Sequence, residues 1–364
     1  MRTTRLTAVL ALGAAGTFLA SCDSSDKSTS PQQTSSGRSV FVVATDYSTY
    51  ELQRVSGDSA NTPASNVENV ADAKGGGVAV DASSGVLYVE NQNTSEVVAF
   101  RDGIADQSHV VFDVNVGKGT DVYQVLQVGN RLFVDRLETN SILVLNAATG
   151  DSVRGIDLSA NANSDGAVSP ARLAFAGGKL WILAQRIHSD FSYDSGIVIE
   201  VDTGAKVATR GVVLPTQNPQ DLAVLGTKLY VASHGTYDSV ANGGIDRLDL
   251  ATGKWEATIT GLLPANKPLS NLVAVGGKLW TIVALDDYGT TSQAVPVDPS
   301  SGQFGAAAGA TKSAAGLVTD GTSLWLADQA AGDQQAVVKL DPSTGAVLGR
   351  AKTAYAPGAL AVLP

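Results

Sequence analysis

From residue 37 onward the chain alternates short apolar runs with turn residues, and the runs recur. A small residue, two turn residues, then aliphatic, aromatic and aliphatic side chains appear at 129–134 (GNRLFV), 177–182 (GGKLWI), 226–231 (GTKLYV), 276–281 (GGKLWT) and 321–326 (GTSLWL). Looser copies stand at 84–89 (SGVLYV) and 37–42 (GRSVFV). The aromatic is Phe41, Tyr88, Phe133, Trp181, Tyr230, Trp280 and Trp325, at intervals of 47, 45, 48, 49, 50 and 45 residues. A near-constant period of this length marks a repeat architecture in which each copy is one structural unit. Seven copies predict seven units.

Within a unit the pattern predicts four short strands. An apolar strand precedes the Gly turn (Leu173-Ala174-Phe175, Leu222-Ala223-Val224, Leu272-Val273-Ala274-Val275), and the aromatic strand follows it. After a longer polar loop comes a third strand, as in 197–201 (IVIEV) or 337–340 (VVKL). The fourth follows a tight turn: 146–150 (NAATG), 249–253 (DLATG), 298–302 (DPSSG) or 341–345 (DPSTG). Asp or Asn bonding the following backbone, with Gly four residues on at a left-handed position, is the chemistry of a type I turn closed by a Gly bulge. In the first two strands both parities are apolar, Leu180 and Ile182 as much as Trp181 and Leu183. That predicts a sheet covered on both faces, which radially stacked blades provide and an open single sheet does not.

The end of the chain predicts closure. Residues 360–363 (LAVL) match a first strand, yet the Gly turn and aromatic strand that should follow stand at 37–43. Pairing the two ends completes one unit and removes the edges that an open array would expose. The 326 residues of 39–364 then hold one all-β domain, a seven-bladed β-propeller with four-stranded blades. The repeat resembles that of the YVTN-type, quinoprotein-like superfamily of bacterial β-propellers, with an apolar inner strand, a Leu-Tyr-Val-like strand, a Val-x-Val-Ile-Asp strand and a Thr-Gly turn. It departs in carrying Leu-Trp in place of Tyr-Val and Gln185, His234 or Asp328 where Asn commonly follows. The resemblance implies a fold, with the apolar strand innermost, and no particular activity.

Residues 1–21 read as an address. Arg2 and Arg5 precede an apolar run, 6–20, that is too short to span a bilayer, which is the form of a secretory signal. The run ends in Leu19-Ala20-Ser21-Cys22, which resembles the lipobox of bacterial lipoproteins and implies that Cys22, the only cysteine, becomes the lipidated N-terminus. Asp23 resembles an inner-membrane retention signal used by some of those proteins. Residues 23–36 are rich in Ser, Thr and Gln without a large apolar side chain, so 22–38 is expected to be the lipidated Cys and a flexible tether, with a reach of about 20 Å. The domain expectation is a signal at 1–21, the tether at 22–38 and the propeller at 39–364. The propeller would be held outside the cytoplasm, in the periplasm or at the cell surface, touching membrane through its lipid only.

Composition narrows the chemistry. Charged residues are 16% of the chain against 44% hydrophobic, with 38 Gly, which suits a turn-rich β domain and excludes disorder or coiled coil. With Cys22 at the signal, the folded part has no thiol for a zinc site, disulfide or nucleophile. The net charge of −10 becomes −12 once Arg2 and Arg5 leave with the signal, which argues against nucleic acid as a partner. No Gly-x-Ser-x-Gly, His-Glu-x-x-His or Walker pattern occurs. Residues 161–166 (NANSDG) resemble half of a calcium loop, but Arg172 stands where its bidentate Glu belongs, so an inter-blade loop is expected there.

Functional residues concentrate on loops that a rigid scaffold positions. With the apolar strand innermost, the longer loops share one face, and their polar residues form the candidate ligand face: Asp46, Tyr47, Asn91, Asp135, Arg136, Gln185, Arg186, His188, Asp190, His234, Asp238, Asp286, Asp287, Tyr288, Asp328 and Gln329. His188 and His234 come from neighbouring units, with Asp190 or Asp238 as nearby carboxylates, but a metal site needs a third convergent ligand. The expectation is no catalytic set, metal or cofactor, and a monomeric, non-catalytic binding scaffold for an envelope protein or extracellular ligand. The alternative is a propeller-type enzyme, either a lactonase-like hydrolase or a quinone-dependent dehydrogenase.

Overall fold

A computed structural model of the chain describes residues 38–363, apart from 47, 58–60, 70–77, 104–106, 205–206, 237–241, 260–267, 287–290, 309–312 and 331–333. The signal, Cys22 and the tether up to residue 37 lie outside the described residues, as do Tyr47, Asp238, Asp287 and Tyr288, whereas Arg38 O already accepts the Gly57 N–H beside β1.

The repeats become seven antiparallel sheets. Blade 2 is typical: its inner strand β4 (Val78–Ser83) turns at Ser84-Gly85 into β5 (Val86–Asn91), followed by β6 (Glu96–Arg101) and an outer β7 (Val110–Asn115). Blade 3 is built from β8 (Val122–Val128), β9 (Arg131–Arg136), β10 (Ser141–Asn146) and β11 (Ser152–Asp157). Blade 4 follows with β12 (Pro170–Ala176), β13 (Lys179–Ala184), β14 (Ser195–Asp202) and β15 (Val207–Gln217). Blade 5 has β16 (Pro219–Leu225), β17 (Lys228–Ser233), β18 (Gly244–Asp249) and β19 (Lys254–Ile259), and blade 7 has β23 (Ala314–Thr319), β24 (Leu324–Asp328), β25 (Ala336–Leu340) and β26 (Val347–Lys352). Inner strands of successive blades lie side by side around the whole ring.

Blade 1 closes it, as expected from the two ends of the chain. Its inner strand is the C-terminal β27 (Ala356–Leu363), paired antiparallel with β1 (Ser39–Thr45) from Ser39 opposite Leu363 to Thr45 opposite Ala356, and β2 (Tyr50–Ser56) and β3 (Ser65–Asn69) complete the sheet.

Blade 6 is the irregular one: β20 (Leu269–Val275), β21 (Lys278–Ala284) and β22 (Ser292–Val297) form a three-stranded sheet. The segment after its Asp298 turn runs beside β22 through a bridge from Val297 to Phe304 and hydrogen bonds from Gly305 N–H to Pro296 O and Ala308 N–H to Ala294 O. Pro296 has no N–H to offer that neighbour, and the GAAAGA run at 305–310 lacks the branched side chains that favour strands.

The seven aromatics hold the blades to one another. Phe41 packs towards blade 2, Tyr88 towards blade 3, Phe133 towards blade 4, Trp181 towards blade 5, Tyr230 towards blade 6, Trp280 towards blade 7 and Trp325 back towards blade 1. Each is buried, a contribution of about 1.5–3 kcal/mol per side chain. The indole N–H groups are satisfied as well: Trp181 donates to Ala176 O, Trp280 to Pro342 O of the next blade, and Trp325 to Asp320 Oδ2. Core is therefore distributed as seven interfaces between blades.

Candidate functional site

Six of the seven inner strands carry an irregularity in their pairing at the same height, at 123–124, 171, 220, 271, 315 and in the 357–360 stretch, leaving β4 alone regular. Such bulges leave backbone N–H groups without a ladder partner, and side chains of the inner strands accept several of them. Asp81 Oδ2 accepts Val125 N–H of blade 3 (3.0 Å), Gln124 Oε1 accepts Leu173 N–H of blade 4 (2.7 Å), and Asp221 Oδ2 accepts Leu272 N–H of blade 6 (2.8 Å). These residues line a central cavity of about 510 Å³ together with Arg172, Gln220, Asn271 and Gln329. Arg172 sits over the Tyr123 ring at 5.8 Å and faces Asp221 at 3.5 Å.

Behind that wall are two carboxyls that the loop-based reading did not foresee as core. Glu90 and Asp135 stand on β5 and β9, both 0% exposed, and among the described residues neither Glu90 oxygen nor Asp135 Oδ2 has a hydrogen-bond partner. Asp135 Oδ1 accepts the Tyr123 and Gln124 N–H groups at 3.1 and 2.6 Å. Burial pushes Asp135 up to about 8 and Asp81 up to about 7, with Arg172 and the donated N–H groups opposing it. Glu90 lies well above the ordinary carboxyl range, first through burial and then through the charges of Asp81 and Asp135. Asp221 is raised by burial too. Burial thus favours the protonated form of Glu90 and Asp135.

The larger cavity, about 920 Å³, opens on the long-loop face and shares Tyr123 and Gln220 with the channel. Its three walls repeat one local design. Asp121, Ser169 and Asn218, each at positive φ just ahead of β8, β12 and β16, accept the N–H of Leu137, Gln185 and His234, the residues just past β9, β13 and β17. Blades 3, 4 and 5 thus present equivalent loops around one mouth.

Blade 4 contributes most. Its 185–194 loop folds on itself, with an Ile187–Tyr193 bridge, His188 N–H to Ser192 O and Phe191 N–H to His188 O. Phe191 stands at the tip, φ 64° and 79% exposed. His188 is clasped between two carboxylates, Nδ1 at 3.2 Å from Asp165 Oδ2 and Nε2 at 3.1 Å from Asp194 Oδ1. Arg186 also meets Asp194, at 3.3 Å. The loop expected at 161–166 is there, braced by Asn163, whose Oδ1 accepts Asp165 and Ala167 N–H while its Nδ2 donates to Arg186 O and Ile187 O. His234 forms the facing wall, lowered by burial.

Of the expected ligand-face residues, Gln185, His188 and His234 come together at this mouth. Gln185 also ties blade 4 to blade 5 by donating to Pro219 O at 2.9 Å. Others serve their own turns: Asp46 accepts Ser48 and Thr49 N–H, Asn91 accepts Thr94 N–H, Asp190 accepts Ser192 N–H and Asp286 accepts Thr291 N–H. Asn91, Asp135, Arg136 and Asp328 are strand residues and not loop residues, because the second strand runs on past its aromatic. Arg136 donates to Val116 O and Ser141 Oγ, and buried Asp328 pairs with Arg350 at 2.7 Å. Gln329 reaches Pro357 O across the ring closure. Among the described residues no three carboxylate, imidazole or thiol groups stand together as metal ligands. Sequence reasoning passed over Asp81, Glu90, Phe191, Asp194 and Asp221, and met Asp165 and Arg172 only in the calcium-loop comparison that it set aside. For Glu90 a signal existed: the second residue after the aromatic is apolar in five of the seven repeats.

No protein-family model and no curated protein matches the chain. Solved structures give a likeness of fold. A Bacteroides fragilis protein assigned, without being established, as a 6-phosphogluconolactonase is similar over 92% of this chain and 100% of its own, at 14% identity and TM-score 0.62. Apo AztD from Citrobacter koseri is similar over 90% and 98%, at 8% identity and TM-score 0.51. Kuenenia stuttgartiensis hydrazine synthase is similar over 73% and 76%, at 15% identity and TM-score 0.56. The class is the β-propeller, and identities this low carry the fold alone.

Proposed function

We propose that this chain is a non-catalytic, lipid-anchored envelope protein of the YVTN-like kind, a monomer that binds an envelope protein or extracellular ligand at the mouth shared by blades 3, 4 and 5. The reading of 1–22 as a lipoprotein signal supplies the anchor and the extracytoplasmic location. The observation that carries the binding reading is the mouth itself: a cavity of about 920 Å³ walled by equivalent loops of three blades and topped by a Phe191 that is 79% exposed. Large aromatics are enriched at the buried cores of protein interfaces, so an exposed one in that position suits an anchor for a docking partner.

The chemistry at the mouth favours binding over turnover. Both His188 nitrogens are engaged by carboxylates, so neither is poised as a general base. Quinone-dependent dehydrogenases usually stack an indole on the cofactor, whereas three of the four Trp are spent between blades and Trp255 lies on the outer strand β19.

Photo-crosslinking in intact cells tests the reading. A photoreactive phenylalanine analogue at position 191 is expected to trap one discrete species in the membrane fraction, and the same analogue at Trp255 none. Equal trapping at both positions, or recovery of the protein in the soluble fraction without a change on Cys22→Ser, overturns it.

A further inference from the structure

Ser189 and His188 make the joint between the aromatic tip and the rest of the mouth. Ser189 N–H and Oγ both donate to Asp165 Oδ2 at 3.0 Å, and His188 Nδ1 approaches the same oxygen at 3.2 Å. Asp165 belongs to the segment that connects blade 3 to blade 4, whereas Asp194 closes the base of the tip loop, so His188 joins two pieces of chain. The imidazole is largely covered, 17% exposed, with a carboxylate oxygen at hydrogen-bond distance from each nitrogen.

A neutral imidazole cannot serve both contacts. It has one N–H and one lone pair, so in either tautomer one carboxylate would face a lone pair at about 3 Å. Only the imidazolium satisfies Asp165 and Asp194 together. We infer that His188 is a proton-operated latch, tying the Phe191 tip to the blade 3–4 connection when charged and loosening it when neutral, so that the set of the binding mouth follows extracytoplasmic pH. This rests on reading the mouth as the binding site.

The surrounding charges agree with the direction. On its own loop His188 meets Asp194, Asp190 and Arg186; on the neighbouring connection it meets Asp165; Glu138, Asp121 and His234 line the same cavity. The hydrogen bond to Asp194, then that to Asp165, raises the imidazolium above its ordinary value against the opposing effect of partial burial. A raised histidine contributes its link fully below the unfolded value of about 6.5 and loses it as pH rises through the folded value. The tip does not unfold when the latch opens. Its internal bonds, Phe191 N–H to His188 O and His188 N–H to Ser192 O, involve no ring nitrogen and move with it.

Hydrogen exchange on the full chain in detergent, without any partner, reads the latch directly. Protection of the Ser189 amide, whose acceptor is Asp165, is expected to fall at least several-fold between pH 6 and pH 8.5 after correction for intrinsic rates, while the His188 and Phe191 amides, bonded within the tip, hold theirs. In His188→Gln and in Asp165→Asn the protection of Ser189 is expected to be low and level across the same range, while amides of β17 hold their protection in all three proteins. Level protection in the unaltered chain, or a pH step surviving in His188→Gln, overturns the latch. Crosslinking at position 191 is scored separately. A partner trapped with a pH-level loop overturns only the latch, and a pH-stepped loop with no partner overturns only the binding reading.

Discussion

Glu90 and Asp135 occupy the second residue after the blade aromatic, where the other blades place Val43, Leu183, Ala232, Ile282 and Ala327, all buried. At that position the side chain points into the interface with the next blade, so the two carboxyls are enclosed where blade 2 meets blade 3 and blade 3 meets blade 4. A buried carboxyl with an unpartnered oxygen is tolerated as the neutral acid and resisted as the anion. Its folded pKa is then above its unfolded value near 4, so stability is greatest below that value and falls as pH rises towards the folded one, about 8 for Asp135. Urea midpoints are therefore expected to drop between pH 5 and pH 8. Glu90→Gln, which keeps the shape without the charge, is expected to stabilise the chain at pH 8 by about 1–3 kcal/mol and to flatten that slope. Asp135→Asn is expected to flatten it as well, since its Oδ1 still accepts the Tyr123 and Gln124 N–H groups. A midpoint insensitive to both substitutions would place these protons elsewhere.

At the scale of elements, the Asp-x-x-(Thr/Ser)-Gly turns show how much can be read locally. Asp341 Oδ1 accepts Ser343 and Thr344 N–H at 2.7 and 3.1 Å, and Gly345, at φ 73°, donates to Asp341 O. Asp298 and Gly302 repeat the arrangement. Such turns are legible because their chemistry lies within five residues. The bulges of the inner strands are not, because they depend on how neighbouring strands crowd around a channel, and Gln124, Asn271 and Ala315 have no residue type in common. The candidate face was half legible for the same reason. Asp46 and Asp190, in loops, and Asn91, at the end of β5, satisfy nearby backbone, while the His188 clasp needed Asp165 from a segment 23 residues away. The turns also yield a graded test. Gly345→Ala would place a Cβ 3.2 Å from the Ala308 Cβ and 3.3 Å from the Trp280 ring at positive φ, whereas Gly177→Ala meets nothing within 4 Å. Urea denaturation is expected to show about 1–2 kcal/mol lost for Gly177→Ala from backbone strain alone, and more for Gly345→Ala. Equal losses would mean that the packing of the blade 6–7 interface does not restrict this turn.

For the whole molecule, stability depends on the ring being closed. Every interface between blades has its own apolar cluster, including that joining blade 7 to blade 1 through Trp325, Val40 and Leu360. Blade 1 has the four-strand order of blades 3, 4, 5 and 7, with its chain cut between the first two strands. In blade 4, Ala176 pairs with Lys179 around Gly177-Gly178, and in blade 1 Leu363 pairs with Ser39 in the same way, with no peptide link between them. The cut thus falls where a two-residue Gly turn would stand. Joining Leu363 to Ser39 through Gly-Gly, and opening the chain between Gly177 and Gly178, should give the same ring with its ends moved to blade 4. The Cβ space around Gly177 and Gly178 is open, so new termini there meet no neighbour. Such a circular permutant is expected to melt within a few degrees of the original propeller and in a single transition. Removing β27 instead strips the inner strand from blade 1 and the packing that Leu360, Ala361 and Leu363 supply to both neighbouring interfaces. That truncated chain is expected to lose the cooperative transition altogether. If it melted as a stable six-bladed remainder, each blade would be holding its neighbours independently, and closure would not be what keeps the mouth of blades 3, 4 and 5 in shape.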